Sequence, residues 1–200
     1  MNGSDRIAAG LSRRTALKLG AAGVLAAGTA AWFARLRPVA YERRLRADET
    51  PVALSARHFA IAGALVEVFC PRNGAFPDGR MLGIAQRIDE EVWSMPAQLR
   101  RDFTQALDLL EFAPPSVGIW SRLTSLAAAR RADVVAAYDR HRLLVIRQAT
   151  TALRQVAVMF YYNHPAVWSA IDYPGPFVPR SLPASSVAYR NELERRRSAS

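Results

Sequence analysis

From residue 119 to residue 164 the chain contains neither glycine nor proline. A stretch of that length without a backbone breaker, carrying apolar residues at helical spacing, is constrained to fold as helices. Ile146, Ala149, Leu153, Val156, Ala157 and Phe160 fall on one face, with Arg147, Thr151, Arg154 and Gln155 on the other. Thr124 is placed to cap a helix running through Ala127, Val134 and Tyr138. The polar run Asp139-Arg140-His141-Arg142 marks a bend or a break before the next helix.

The residues before this stretch read the same way. Ser55 is an N-cap with Leu54 ahead of it as a staple, and Ala56 to Phe69 is apolar on nearly every side, the pattern of a helix at the centre of a bundle. Turns follow at Pro71-Arg72-Asn73-Gly74 and Pro77-Asp78-Gly79. A second helix is expected from near Met81, with Met81, Ile84, Ala85, Ile88 and Val92 on its apolar face and Asp89-Glu90-Glu91 on a solvated one. Ser94 is expected to cap a third, with Pro96 in its first turn and Leu99, Phe103, Ala106, Leu107 and Leu110 as its stripe, ended by Pro114-Pro115. No alternating segment of useful length occurs, so the expected fold is all-α, a single helical bundle of four to five main helices.

The formal net charge of +10 is concentrated at the ends of the chain. Residues 1–35 hold five basic groups against one acid, and residues 181–200 hold four against two, whereas 50–180 has fourteen arginines against eleven acids. A nucleic-acid binder concentrates positive charge on its fold, so nucleic acid is not an expected partner. Ser12-Arg13-Arg14-Thr15-Ala16-Leu17-Lys18 resembles the twin-arginine export motif, departing from it at Ala16. Other arginine pairs occur, but this one stands directly before a weakly apolar run, Leu19 to Ala34. As a helix that run would span roughly 24 Å, short of a ~30 Å hydrocarbon core. Trp32, Phe33, Arg35 and Arg37 could hold an uncleaved leader at a membrane interface, so both a signal and an anchor stay open. The expected organisation is a leader over 1–34, a basic linker over 35–54, a helical domain over 55–177 and a polar C-terminal tail over 178–200.

The most distinctive stretch runs Phe160-Tyr161-Tyr162-Asn163-His164-Pro165-Ala166-Val167-Trp168 and on through Ile171-Asp172-Tyr173-Pro174-Gly175-Pro176. With the Phe69-Cys70-Pro71 helix end, Leu109-Leu110-Glu111 before Pro114 and Ser121-Arg122-Leu123-Thr124, it resembles the gluconate 2-dehydrogenase subunit 3 family. The resemblance covers residues 55 to 177 and is most specific at the C-terminal signature. It implies a small helical, non-catalytic subunit that accompanies a flavin-dependent oxidoreductase of the glucose–methanol–choline type. It further implies export by the twin-arginine translocase to the periplasm or the periplasmic face of the inner membrane. FAD would then belong to the partner and no cofactor to this chain. A cytochrome c accepting the electrons would be a separate subunit. Tyrosine and tryptophan offer large apolar area with a polar tip and few rotors, which suits Tyr161, Tyr162, His164, Trp168, Tyr173, Pro174, Gly175 and Pro176 to partner binding. The other reading, preferred for Tyr161 and Trp168, is that they only pin the segment back onto the bundle; for Tyr173 through Phe177 the two readings are even.

No catalytic, cofactor-binding or metal residues stand out. His58, His141 and His164 fall in no ligand spacing, and Cys70, the sole cysteine, reads as a small buried hydrophobe. Glu67, an acid in an apolar helix, is expected to pair with an arginine such as Arg147 or Arg154. Two other roles remain open, an envelope scaffold held by leader and basic termini or a free-standing periplasmic enzyme.

Overall fold

α1, Ala56–Phe69, lies where a helix apolar around its circumference has to lie. Every residue from Phe59 to Val66 is buried. Against it pack α2 (Ile84–Ser94), α3 (Ala97–Phe112), α4 (Ala128–Tyr138) and α5 (Leu144–Tyr162). A one-turn α6, Pro165–Trp168, and a C-terminal α7, Ala184–Ser198, complete the helices. The computed structural model describes residues 40–176 and 181–199. The export-signal residues Ser12, Arg13, Arg14, Leu17 and Lys18 lie outside the described residues. Among the described residues the fold is all-α, the only β-type pairing being an antiparallel bridge between Asn73 and Phe76.

Ser55 caps α1 as the sequence predicts, its hydroxyl accepting from His58 N at 3.3 Å. The next starts differ from expectation. α2 begins at Ile84 rather than Met81, because Asp78 draws the backbone N–H groups of Arg80 (2.9 Å) and Met81 (3.0 Å) into a turn. Gly83 then enters the helix from the left-handed region at φ 72°. Ser94 does not cap α3. It ends α2, donating to Glu91 O at 2.9 Å, and Pro96 precedes α3 in extended conformation. Leu107 and Leu110 are buried on α3, but Leu99 faces solvent. Thr124 sits in a 3-10 turn, Leu123–Ser125, and α4 starts three residues beyond it.

Two buried acids and a half-buried one explain much of the remaining order. Asp89, expected on a solvated face, is fully buried. Its carboxylate accepts from the consecutive amides of Val52 (2.7 Å), Ala53 (3.1 Å) and Leu54 (2.6 Å), and from the Tyr189 hydroxyl (2.8 Å). Residues 52–54 are bends with no ladder or helix of their own, so this carboxylate satisfies amides that burial would leave unpaired. Glu111, in the last turn of α3, accepts from Thr124 N (3.0 Å), Thr124 Oγ1 (2.7 Å) and Tyr41 OH (3.0 Å). Glu67 pairs neither with Arg147 nor with Arg154. It bridges Arg80, at 2.6 Å, and Arg131, because α1 turns that face toward the 77–83 turn and α4. Arg80 in turn makes a two-pronged pair with Glu49 at 2.8 and 2.9 Å. Its guanidinium lies over Gly63, where a Cβ would approach Nε to 3.2 Å.

These contacts alter the expected boundaries. Residues 40–54 are part of the folded body, with a 3-10 turn at Tyr41–Arg44 and with Tyr41, Val52 and Leu54 buried. The expected polar tail holds α7, docked on α2 by the buried Tyr189, whose ring meets Trp93 edge to face at 6.3 Å.

Two predictions follow from the buried acids. Asp89→Ala leaves three backbone amides without an acceptor and the Tyr189 hydroxyl with only the longer contact to Gln86 O at 3.3 Å, and is expected to cost about 3 to 5 kcal/mol in urea unfolding. Glu91→Ala, on the half-exposed neighbour, is expected to cost less than about 0.5 kcal/mol. Burial raises the Glu111 carboxyl above the ordinary glutamate value of 4.5, against the opposing pull of Thr124, Tyr41 and Arg122. The folded state therefore holds this proton where the unfolded chain has lost it, and stability falls as pH rises from 4.5 through the raised value. Denaturant titrations across that range should show wild type losing stability relative to Glu111→Gln, and a pH-independent difference would refute the assignment.

Candidate partner-binding surface

The end of α5 presents two consecutive tyrosines, which a helix points about 100° apart. Tyr161 turns inward, 4% exposed, and its hydroxyl donates to Pro77 O at 2.7 Å. Tyr162 turns outward and is 45% exposed. The Tyr162 ring meets Phe76 edge to face at 6.5 Å and Tyr161 at 5.5 Å. These are the geometries that aromatic quadrupoles favour.

The backbone beyond α5 is fixed residue by residue. Asn163 donates from its side chain to Met159 O at 2.8 Å. His164 Nδ1 accepts from Ala166 N at 3.2 Å and so caps α6, with Pro165 in the first position. Val167 is fully buried beneath this turn. Trp168 lies half-buried across the end of α5 and donates from Nε1 to Tyr162 O at 3.1 Å, taking up one of the helix's last carbonyls. After a 3-10 turn at Ser169–Ile171, Asp172 takes φ 51° and Tyr173 N donates back to Trp168 O at 2.9 Å. The Tyr173 and Trp168 rings cross at 5.4 Å and 87°.

Gly175 closes the arrangement. It has φ 106°, is buried, and lies so close to the indole that a Cβ would meet Trp168 Cζ3 at 3.1 Å. Pro174 and Pro176 flank it in solvent. The eight signature residues therefore come together, but in two roles. Tyr161, Val167, Gly175 and the body of Trp168 hold the segment on the bundle. Tyr162, Tyr173 and the neighbouring Met159 and Ile171 remain exposed.

A pocket of about 260 Å³ opens beside Tyr162, lined by Phe69, Cys70, Pro71, Phe76 and Val158. The Cys70 thiol is buried there, and burial pushes its pKa up to about 12, so it lies in the wall as an apolar group rather than as a nucleophile. The other histidines have local roles. His141 Nδ1 accepts from Leu143 N at 3.1 Å, and His58 Nε2 lies 3.1 Å from Asp108. Among the described residues no group of three or more His, Cys, Asp or Glu is placed to hold a metal ion.

Sequence reasoning missed the buried Asp89 and Glu111 and the burial of Tyr41, Arg122 and Arg131, the last being the arginine that meets Glu67. A signal was present. Asp89 stands four residues after the buried Ala85, and Glu111 four after the buried Leu107, so each borders an apolar stripe.

The two tyrosines should separate by stability. Tyr161→Ala is expected to cost about 3 kcal/mol or more through its cavity and lost hydrogen bond, and Tyr162→Ala less than about 1 kcal/mol. Equal losses in thermal and urea unfolding would show that Tyr162 serves the core rather than the surface.

The chain matches no family model, no curated protein and no solved structure, so the meaning of this surface rests on its own residues.

Proposed function

We propose that this chain is the small, non-catalytic subunit of an exported flavin-dependent dehydrogenase. In this reading it binds a glucose–methanol–choline-type flavoprotein and escorts it through the twin-arginine translocase to the periplasm or the periplasmic face of the inner membrane. The observation that carries the reading is the ordered aromatic surface over Tyr162, Trp168 and Tyr173. Large rings stand in solvent on a backbone held by capping hydrogen bonds and a positive-φ glycine. Pre-ordered aromatic area loses little entropy on binding and is the usual anchor of a protein interface. The titratable groups of the interior support the same reading, since Asp89, Glu111 and Glu67 are each taken up in holding chain segments together.

Within this proposal Tyr162, His164, Trp168, Tyr173, Pro174 and Pro176 form the contact, and the buried Gly175 holds the turn that presents them. Tyr161 fixes α5 beneath them. FAD resides on the flavoprotein, and a cytochrome c, where electrons pass to one, is a third polypeptide. Arg13 and Arg14, with Ser12, Leu17 and Lys18, are read by the translocase on behalf of both subunits. Folded export gives the leader its purpose, because a flavoprotein has to fold around its cofactor before it crosses.

The test is affinity purification of the tagged chain from the envelope of its own cell. A flavin-containing polypeptide is expected to co-purify, with Tyr162→Arg reducing its recovery at least about tenfold while the helical circular dichroism stays intact. Replacing Arg13 and Arg14 by lysine should leave that flavoprotein in the cytoplasm. Recovery of the wild-type chain with no flavoprotein, or unchanged export after the double replacement, would falsify the escort role.

A further inference from the structure

The connection from α4 to α5 leaves three apolar side chains in water. Leu143, Leu144 and Val145 are 56%, 55% and 54% exposed, while Ile146 beside them is buried. The connection is nonetheless built rather than frayed. Tyr138 ends α4 with its hydroxyl donating to Leu110 O at 3.2 Å. Leu143 N donates to His141 Nδ1 at 3.1 Å, and Arg147 donates to His141 O at 2.6 Å, which holds the turn against the first coil of α5. The apolar tip is therefore a fixed feature of the surface.

Its shape and charge say what it meets. Leu144 and Val145 point about 100° apart in the first turn of α5, and Leu143 precedes them as the extended N-cap residue, so the three exposed side chains do not share one helix face. A flat protein surface would cover one or two of them, whereas a fluid medium surrounds all three. Arg140 and Arg142 stand exposed beside the tip, with Arg147 half-buried behind them. Asp139 is the one acid between 139 and 147, and Arg154 already holds it with contacts of 2.9 and 2.7 Å. The first turn of α5 also has no side-chain cap, so its open amides favour anionic oxygens. An apolar tip ringed by arginines is the chemistry of an interfacial contact with anionic lipid.

We propose that the α4–α5 knuckle, residues 139–147, is a contact for an anionic phospholipid surface. Leu143, Leu144 and Val145 enter the boundary between headgroups and acyl chains, and Arg140 and Arg142 meet the phosphates. The placement is consistent with the rest of the fold. Residues 1–39 join the described chain at Ala40, next to Tyr41, which sits on Glu111 in the last turn of α3. The Tyr138 hydroxyl, on the residue before the knuckle, meets that same turn at Leu110 O. Tyr162 lies at the other end of the 19-residue α5, ~27 Å away, leaving the aromatic surface clear. The contact does not depend on which protein that surface binds.

The experiment uses the full chain carrying Leu144→Cys, labelled with a nitrobenzoxadiazole fluorophore; the buried Cys70 stays unlabelled. With vesicles of phosphatidylglycerol and phosphatidylcholine the emission is expected to rise several-fold and to be quenched by nitroxides on the acyl chains. High salt or pure phosphatidylcholine should largely abolish the response. The same label at Ala152→Cys, exposed two turns further along α5, should stay in water. Adding Leu143→Ser and Val145→Ser should weaken the response about tenfold without changing the helical circular dichroism. A label at 144 that remains in water while the chain sediments with the vesicles assigns binding to the leader and overturns the proposal. So does a response to a co-purified protein with none to vesicles.

Discussion

A buried carboxylate is among the most costly groups a fold can contain unless it is partnered, and among the described residues two acidic side chains are fully buried. What makes them tolerable is that each gathers several donors, most of them from bends and 3-10 turns between the α-helices. Asp89 collects three consecutive amides just ahead of α1. Glu111 collects an amide and two hydroxyls from segments seventy residues apart on one side and thirteen on the other. Helices satisfy their own backbones, but the connections between them do not. In this chain the acids do for the connections what capping residues do for helix ends. They define which non-helical segment lies on which helix, and so they fix the arrangement more than they add to its net stability.

The arginine-rich composition serves the same end. Arg80 reaches two acids and the Arg44 carbonyl, and Arg131 reaches Glu67 together with the carbonyls of Ala64, Leu123 and Leu126. A planar guanidinium with five donors can hold several acceptors at once, which a lysine cannot do in one plane. Gly63 makes room for this on an otherwise apolar helix, since the Arg80 guanidinium lies where a larger side chain would intrude. Through these contacts the stretch from Tyr41 to Leu54 becomes one body with α1 and α2. The chain that precedes it therefore joins a fixed point.

The helical class and the central place of α1 were legible because they follow from local periodicity, and periodicity survives without knowledge of the partner element. The capping of α1 by Ser55 was legible for the same reason. Long-range electrostatics were not. Asp89-Glu90-Glu91 looks like a solvated run until the segment that covers its first member is known, and that segment lies more than thirty residues upstream. Thr124 has the composition of a cap, but its hydroxyl is claimed by Glu111, and α4 starts later without a side-chain cap. Ser94 and Pro96 show a similar displacement, since a serine that serves the helix before it cannot serve the helix after it. At the aromatic surface the sequence identified the residues and favoured a holding role for Tyr161 and Trp168, but not the division that leaves Tyr162 and Tyr173 facing outward. That division is set by Trp168 folding back on the Tyr162 carbonyl, a contact no local pattern announces.

Among the exposed apolar groups of the described residues, two sets differ in chemistry, and α5 separates them. Its C-terminal end carries aromatic rings on a rigid turn, suited to a protein face that is itself fixed. Its N-terminal end carries aliphatic side chains fanned around a tip among arginines, suited to a medium that has no fixed face at all. The core positions between them, Ile146, Ala149, Leu153, Ala157 and Phe160, are buried against the other helices, so α5 cannot shift toward either end without opening the interior. A rigid helix that ends in two different chemistries holds whatever meets one end at a set distance from whatever meets the other. That spacing belongs to the packing of the bundle and does not depend on any single contact at its ends.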